Sequence, residues 1–280
     1  MNRIAFQGEH YAFSEIAAKL FFHDEIETYP TPTFEDVFQM VANNVTKYGI
    51  IPIENTTYGS IHRNFDLLQE SDVTIVGEIN LPIQLHLIGL QTSTIEKIKT
   101  VYSHPAALEQ CRKFLATFPK VEAVSTYDTA GSVKMIHERN DATIAAIASH
   151  KAAEDYNLQI LKREIEDYPE NYTRFFIISK EHHELSKPTK TSLVMATKNI
   201  PGALFKSLSV FFLRDINLSK IESRPQKGKP WEYLFFLDFA GDMAEDRIKN
   251  ALRHLREIAS FIKILGSYPA AEKYNNDNHL

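Results

Sequence analysis

Cysteine is nearly absent. Cys111 is the one cysteine in 280 residues, so no disulfide can form within the chain, which fits a reducing compartment. Long apolar runs are missing too. The stretch 142–148, interrupted by Thr143, falls far short of the roughly 20 residues of a membrane-spanning helix. Residues 1–9 lack the apolar core of a signal peptide. A cytoplasmic, soluble protein with no membrane partner is expected. Basic charge is not in excess: 31 Lys and Arg against 36 Asp and Glu give a net charge of -5. That argues against nucleic acid, whose binders carry a basic domain or stripe. The adjacent His182-His183 have no second His/Cys cluster beside them and point apart, so they read as linker surface and no metal site is expected.

What is present supports real cores. Hydrophobic residues make up 44% of the chain, and the length allows one large or two ordinary domains. The first part alternates strands and helices. Residues 3–6 and 48–53 read as strands, Ser14 as the cap of a helix through Phe22, Thr33 as the start of another, and Gly59-Ser60 as a third helix start. This rhythm predicts a mostly parallel sheet. A second block follows: extended segments at 73–76 and 84–90, strands at 101–104, 121–125 and 143–148, and helices opening at Pro105, Thr129 and His150. Residues 168–179 return to the first block. The division expected is one lobe of roughly 1–75 with 165–182, and another of 76–164, with a cleft between them at the strand ends. Residues 181–190 are polar and read as a linker. Beyond them, over 190–280, the pattern becomes βαββαβ, a ferredoxin-like arrangement.

The most informative stretch is Asn171-Tyr172-Thr173-Arg174-Phe175-Phe176, where an amide, a hydroxyl and a guanidinium lead into an apolar strand. Alternation along a strand sends Thr173 and Arg174 to opposite faces. The stretch resembles the Asn-x-Thr-Arg-Phe signature of prephenate dehydratases. Further boxes match that family in order. Glu54-Asn55-Thr56 is similar to its Glu-Asn-Ser box, with Thr56 for the usual Ser. Residues 103–111, from Ser103-His104-Pro105 to Gln110-Cys111, look like its Ser-His-Pro box. Asp128-Thr129-Ala130 and residues 145–149 resemble two more elements. One departure is Tyr11, where the family usually has glycine, which puts the local loop shape in question and suggests a narrower cleft.

The resemblance implies a periplasmic-binding-protein-like catalytic domain of two α/β lobes over 1–182, followed by an ACT regulatory domain. It implies a lyase that converts prephenate to phenylpyruvate, carbon dioxide and water in phenylalanine biosynthesis. Aromatisation drives the reaction, so no cofactor is expected. The substrate is a dianion, and helix starts suit its carboxylates. Thr173 is the first choice to assist hydroxide departure as a positioned hydrogen-bond donor. Glu54, if buried and protonated, is the second; its alternative role is to orient Asn55. Asn55, Ser103, Gln110, Thr129, Ala130 and Phe175 are expected at the substrate. Arg174 is expected to fork onto a substrate carboxylate, or else to form a structural ion pair. Cys111 reads as a small buried hydrophobe, and His104 as a brace for the loop before Pro105.

In the second domain, Gly202-Ala203-Leu204 and Glu222-Ser223-Arg224-Pro225 look like the family's effector boxes. They imply L-phenylalanine binding between paired domains of a homodimer or homotetramer. Two alternatives stay open: arogenate dehydratase, whose motifs are nearly the same, and a non-catalytic amino-acid-sensing cleft protein.

Overall fold

A computed structural model describes residues 1–23, 26–181 and 185–271, which form three sheets. The first has the order Ile26–Thr31, Asn2–Gln7, Tyr48–Asn55, Tyr172–Ser179, Thr74–Pro82, with the short Gly59–Ser60 strand paired to Tyr48–Asn55. Its first three strands are parallel, and Tyr172–Ser179 is antiparallel to both neighbours. The second sheet has the order Gln159–Lys162, His86–Gly89, Ile144–Ala148, Thr100–Ser103, Glu122–Ser125. Helices flank both lobes. The one at Phe34–Ala42 starts as expected: Thr33 and Asp36 form a reciprocal capping box. It buries Val37, Phe38 and Val41, the apolar face that their spacing predicts.

Several boundaries differ from the sequence reading. Ser14 is not a cap; the helix Phe13–Phe22 begins two residues earlier than a cap at Ser14 would place it, with Ala12 at its N-cap. Gly59-Ser60 opens no helix. Glu54 pairs with Ser60 and Asn55 with Gly59, so the chain turns back as a small hairpin. Gly59 supplies a φ of 92° at the turn, and the helix waits until His62. The strands Ile26–Thr31 and Gln159–Lys162 were missed. The crossing between lobes falls after Pro82 rather than at 75, because the whole of Thr74–Pro82 pairs with Tyr172–Ser179. His182-His183 lie outside the described residues.

The third sheet, ordered Leu218–Pro225, Tyr233–Ala240, Lys190–Thr197, Ala259–Tyr268, is antiparallel throughout. With the helices Ala203–Phe212 and Asp246–Ile258 it makes the ferredoxin-like βαββαβ unit. Alternation gives this sheet two apolar faces. Leu193, Met195, Leu237 and Phe239 pack under its own helices with Phe211, Ile248 and Leu252. Val194, Phe236, Leu265 and Tyr268 share a core with Phe38, Phe65, Leu68, Ile75 and Phe176 of the first lobe. Burying each such side chain stabilises by about 1.5–3 kcal/mol, so the third sheet is docked, not tethered. Lys263 strengthens the contact by donating to the carbonyls of Leu68, Gln69 and Ser71 at 2.9, 3.1 and 2.6 Å. A cation there satisfies the open end of the helix His62–Glu70. Among the described residues no helix is long and apolar enough to cross a membrane.

The two backbones approach most closely at Gly266. A Cβ on Gly266 would lie 2.2 Å from the Ile75 carbonyl oxygen and 2.9 Å from the Ile75 carbonyl carbon. Backbone atoms cannot step aside as a side-chain tip can. Gly266→Ala is expected to destabilise the chain by about 1–3 kcal/mol, the usual cost of overpacking. Denaturant unfolding checks this, and an unchanged midpoint would show that the sheets are free to separate.

Candidate active site

The site grows from the register of two strands. Thr173 lies opposite Asn55 and Arg174 opposite Glu54, but Phe175 lies opposite Pro52. Ile53 is therefore the extra residue of a β-bulge, a device that re-aims side chains beside functional sites. Its effect is to put Pro52, Asn55, Thr173 and Phe175 on the face that looks into the cleft between the lobes. Glu54 and Arg174 go to the opposite face.

The cleft has a volume of about 370 Å³, within the range of small-molecule sites. An apolar wall of Phe13, Phe34, Ile61, Ile83, Leu85 and Phe175 encloses it. At one end stands a cluster of neutral hydrogen-bonding groups. The Asn55 Nδ2 donates to Thr173 Oγ1 at 3.0 Å and to Asn171 Oδ1 at 2.7 Å. The Asn55 Oδ1 accepts from the amides of Thr57 and Tyr58 and from Gln110 Nε2, at 2.9, 2.8 and 3.0 Å. Gln110 closes the ring from the second lobe by accepting from Asn171 Nδ2 at 3.2 Å. Thr173 is 8% exposed and its oxygen is already used as an acceptor. Among the described residues nothing accepts its proton, so the hydroxyl is left to donate into the cleft.

Three helix starts face the same space. Ala12, Phe13 and Ser14 belong to one, His104, Ala106 and Ala107 to the second, and Asp128 and Thr129 to the third. Each has the positive end of its dipole outward, although the amides of Ala106 and Ala107 are taken by His104 and that of Gly131 by Asp128. Among the described residues no Lys or Arg lines the cleft. His104 is an N-cap whose Nδ1 accepts from the Ala106 amide at 3.2 Å, and burial lowers its pKa, so it stays neutral. That fits its expected role as a brace.

Among the described residues Asp128 is the one carboxyl in the lining. Burial pushes its pKa up to about 6; the amides of Gly131, Ala130 and Glu9 oppose this, and the Glu9 charge adds to it. Its Oδ1 caps the helix Thr129–Arg139 by accepting from the Gly131 amide at 2.8 Å. Gly8, at φ 116°, presses so close that a Cβ there would lie 2.5 Å from Asp128 Oδ2. Tyr127 folds over the same helix start and donates to Glu9 at 3.3 Å.

Of the residues expected at the substrate, Asn55, Gln110, Thr129, Thr173 and Phe175 line the cleft. Four do not. Ser103 is fully buried and donates to the Ile147 carbonyl at 2.6 Å, which makes it a strand tie. Ala130 is packed beneath the helix start. Arg174 is turned away, onto Glu78 at 2.6 Å, Glu54 at 3.1 Å and Asp238 at 2.6 Å. Glu54 pairs with Arg174 and Lys220. Burial tends to raise its pKa, but Lys220 and Arg174 outweigh that and hold it below the usual range. The expectation of a protonated Glu54 donor and of an Arg174 clamp is thus corrected. Asp128 was missed as a cleft group; Asn171 and Thr57 were missed as members of the hydrogen-bonded cluster behind it, where Asn171 is 1% exposed and central.

Tyr11 does not narrow the cleft, because it is outside the lining. It adopts the left-handed φ of 69° that a glycine would take. The buried Glu15 carboxylate accepts from its amide, and its carbonyl accepts from Ser149 Oγ of the second lobe at 3.1 Å. These bonds oppose the strain of a non-glycine residue there. In the third sheet, Gly202, at φ 77°, Ala203 and Leu204 border a separate hollow of about 250 Å³ with Trp231, Tyr233 and Phe235. Glu222 and Arg224 point elsewhere, onto Ser60 at 2.7 Å and Asp66 at 3.2 Å of the first lobe. Within one chain the two effector boxes do not meet.

Known proteins were compared with this geometry. The prephenate dehydratase family profile matches residues 4–183. Arogenate dehydratase/prephenate dehydratase 1 of Arabidopsis thaliana is 43% identical over 283 residues, spanning 95% of this chain and 72% of the relative. The crystal structure of prephenate dehydratase from Arthrobacter aurescens in complex with L-Phe aligns with a TM-score of 0.87 at 28% identity, over 95% of this chain and 89% of that one. The quorum-quenching acylase GqqA aligns with a TM-score of 0.85 at 31% identity, over 96% of this chain and 98% of that one.

A carboxylate ligand in this cleft meets Asp128 and no cation. The sign of its pH response follows. Above about pH 6 Asp128 is charged and repels the ligand; below it the repulsion is gone, so affinity rises as pH falls through about 6. Stability follows the same sense, since the folded state holds this proton more tightly than the unfolded chain and stability is lost as pH rises from about 4 to 6. Asp128→Asn, which keeps a capping oxygen, is expected to tighten carboxylate binding at pH 7.5 and flatten its pH profile. Calorimetric titration over pH 5–8 checks this; an unaltered profile in the variant would remove Asp128 from the explanation.

Proposed function

The chain belongs to the prephenate dehydratase family, and on that premise we propose that its cleft aromatises prephenate to phenylpyruvate. The protein is a carbon–oxygen lyase of aromatic amino-acid biosynthesis. The observation that carries the reading is the Thr173 hydroxyl, its oxygen held by Asn55 and its proton uncommitted, at the polar end of an otherwise apolar cleft.

The chemistry asks for little more. The ring carboxylate leaves as carbon dioxide, its bonding pair flows through the diene, and hydroxide departs from the opposite ring carbon. The departing oxygen takes up one proton and leaves as water. A threonine hydroxyl is a weak acid, so Thr173 acts by donating a hydrogen bond to the oxygen as charge builds there; such positioned donors contribute about 10²–10⁴-fold. The apolar wall of Phe13, Phe34 and Phe175 takes the ring. Helix starts suit the carboxylates, since among the described residues no cation lines the cleft and the side-chain amides of Asn55 and Gln110 are already bonded to Asn171, Thr173, Thr57 and each other. Catalysis is assigned to residues 1–182 and sensing to 190–280.

One observation favours a second substrate. Arogenate carries an ammonium where prephenate carries a keto group, and Asp128 is a carboxylate suited to pair with it. Prephenate and arogenate therefore belong in the same assay. The acylase reading has less support: amide hydrolysis wants a base beside the nucleophile, and the polar neighbours of Thr173 are amides, not a His or carboxylate.

L-Phenylalanine is the proposed effector, taken at the hollow beside Gly202, Ala203 and Leu204, where an open backbone and a helix start suit an amino acid. The exposed Phe205, Phe212 and Leu213 on that helix, and Ile221, support pairing with a second copy, to which the Ser223-to-Pro225 edge would contribute.

Thr173→Ala is expected to lose about 10²-fold or more in kcat on the preferred substrate while retaining thermal stability and L-phenylalanine binding. Turnover assays beside calorimetry check this, and full activity in the variant would remove the assignment. If L-phenylalanine favours a less active arrangement, a substrate analogue must weaken L-phenylalanine binding by the same factor that L-phenylalanine weakens the analogue. Equal L-phenylalanine affinity with and without the analogue would dismiss the coupling.

A further inference from the structure

Behind the catalytic strands, on the face away from the cleft, lies a buried ionic cluster that the reaction does not use. Arg174 Nε and Nη2 reach Glu78 at 2.7 and 2.6 Å, and Nη1 reaches Glu54 at 3.1 Å and Asp238 at 2.6 Å. Nη2 also donates to the Tyr268 hydroxyl at 3.3 Å. Lys220 pairs with Glu54, and Lys190 with Glu78. Three cations thus meet three acids. Asp238 is fixed in turn by Ser192 Oγ, which also contacts Tyr268.

The placement of these groups is what matters. Glu54 and Arg174 sit on neighbouring inner strands of the first sheet and Glu78 on its edge strand Thr74–Pro82; Asp238, Lys220, Lys190, Ser192 and Tyr268 sit on the third sheet. Arg174 and Glu54 are register partners, and the next pair along is Thr173 with Asn55. Two adjacent register pairs on the same two strands therefore carry an ion pair on one face and the proposed catalytic hydrogen bond on the other.

We propose that Arg174 is a positioning residue, and that Asp238 of the regulatory sheet sets the alignment of Thr173 with Asn55 by sharing the Arg174 guanidinium with Glu54. The inference rests on the dehydratase reading above. Its physical basis is geometric. Nη1 is divided between Glu54, on the neighbouring catalytic strand, and Asp238, on the docked sheet. Removing the Asp238 charge draws the guanidinium toward Glu54, and the strand segment carrying Thr173 moves with it. Misplacement of a reacting group by about 1 Å costs on the order of 10²-fold in rate. The cluster also gives the regulatory sheet a direct hold on the catalytic strand, with no intervening helix.

The test uses the full chain and Asp238→Asn, which preserves the side-chain shape. The expected result is a fall in kcat of about 10–100-fold with KM changed less than about 3-fold, because the substrate-holding groups lie elsewhere. The decisive readout is a double-mutant cycle with Thr173→Ala. If Asp238 acts through Thr173, Asp238→Asn slows the Thr173→Ala enzyme no further, while still lowering its melting temperature. A kcat per folded enzyme equal to wild type in Asp238→Asn, or losses that multiply in the double variant, would overturn the proposal. Should Asp238→Asn fail to fold, Lys220→Met perturbs Glu54 from the same sheet and is held to the same criteria. Wild-type turnover is measured in the same series. An inactive wild type would refute the dehydratase reading itself, whereas an active wild type with an indifferent Asp238→Asn refutes only the positioning role.

Discussion

The register of Tyr172–Ser179 between its two antiparallel neighbours is the constraint on which the rest depends. Side chains alternate along a strand, so one shift of register would exchange every group between the two faces. Here one face completes the cleft and the other completes the core shared with the third sheet. Phe175 and Ile177 pack on the cleft side, Phe176 and Ile178 on the other. The bulge at Ile53 reconciles the two demands. It lets Pro52 and Asn55 share the cleft face while Ile53 stays in the core behind. Sliding the strand would bury Thr173 against Phe236 and Leu265 and push Arg174 into the cleft, a change opposed by both cores together.

Under the proposed reaction the cleft takes a dianion although no cation lines it among the described residues, and this has a chemical rationale. A lysine or arginine beside the departing carboxylate would hold it more firmly before reaction than after, since decarboxylation disperses that charge. Interactions that are stronger in the ground state than in the transition state slow the chemical step. Helix starts and amides are softer partners: each amide donates one fixed bond, and the dipole falls off within a turn. The charged groups are instead kept on the far face, where Arg174 meets three acids and remains protonated. The single carboxyl in the cleft, Asp128, has its pKa raised by burial and so carries less charge near pH 6 than an exposed aspartate would.

Much of this was legible in the sequence, for identifiable reasons. The βαββαβ tail could be read because its strands are long and its helix 246–258 is strongly amphipathic, burying Ile248, Ala251, Leu252 and Leu255. Thr173, Asn55 and Gln110 could be picked out because they stand in boxes that resemble those of the prephenate dehydratases. Arg174 and Glu54 were misassigned although alternation already sent Thr173 and Arg174 apart; their partners, Asp238 and Lys220, lie more than 40 residues away in sequence, and no local pattern announces them. Ser103 failed for a related reason, since its acceptor is a carbonyl on another strand. Asn171 was visible in the motif that led the reading but was given no role at the site. Its role depends on Gln110 arriving from the second lobe.

The position of the third sheet also bears on what it can regulate. It touches the first lobe through Gly266 against Ile75, Lys263 against the helix end at Leu68 to Ser71, and Arg224 against Asp66. All of these contacts lie on the first lobe. The second lobe is held to the first by a different set: Ser149 on Tyr11, Tyr127 and Lys134 on Glu9, and Gln110 on Asn55. A movement of the third sheet therefore cannot open or close the cleft by pulling directly on both lobes. It must act through the first lobe's strands or through the helix His62–Glu70. The strand route runs through the ion cluster and ends at the pair Thr173 and Asn55. The helix route runs through Ser60 and Glu222 to the hairpin that follows Asn55. Both routes converge on Asn55, whose side chain also holds Gln110 of the other lobe. The Asn55 amide is thus bonded to Thr173 and to Gln110 of the other lobe at the point where both routes from the third sheet end.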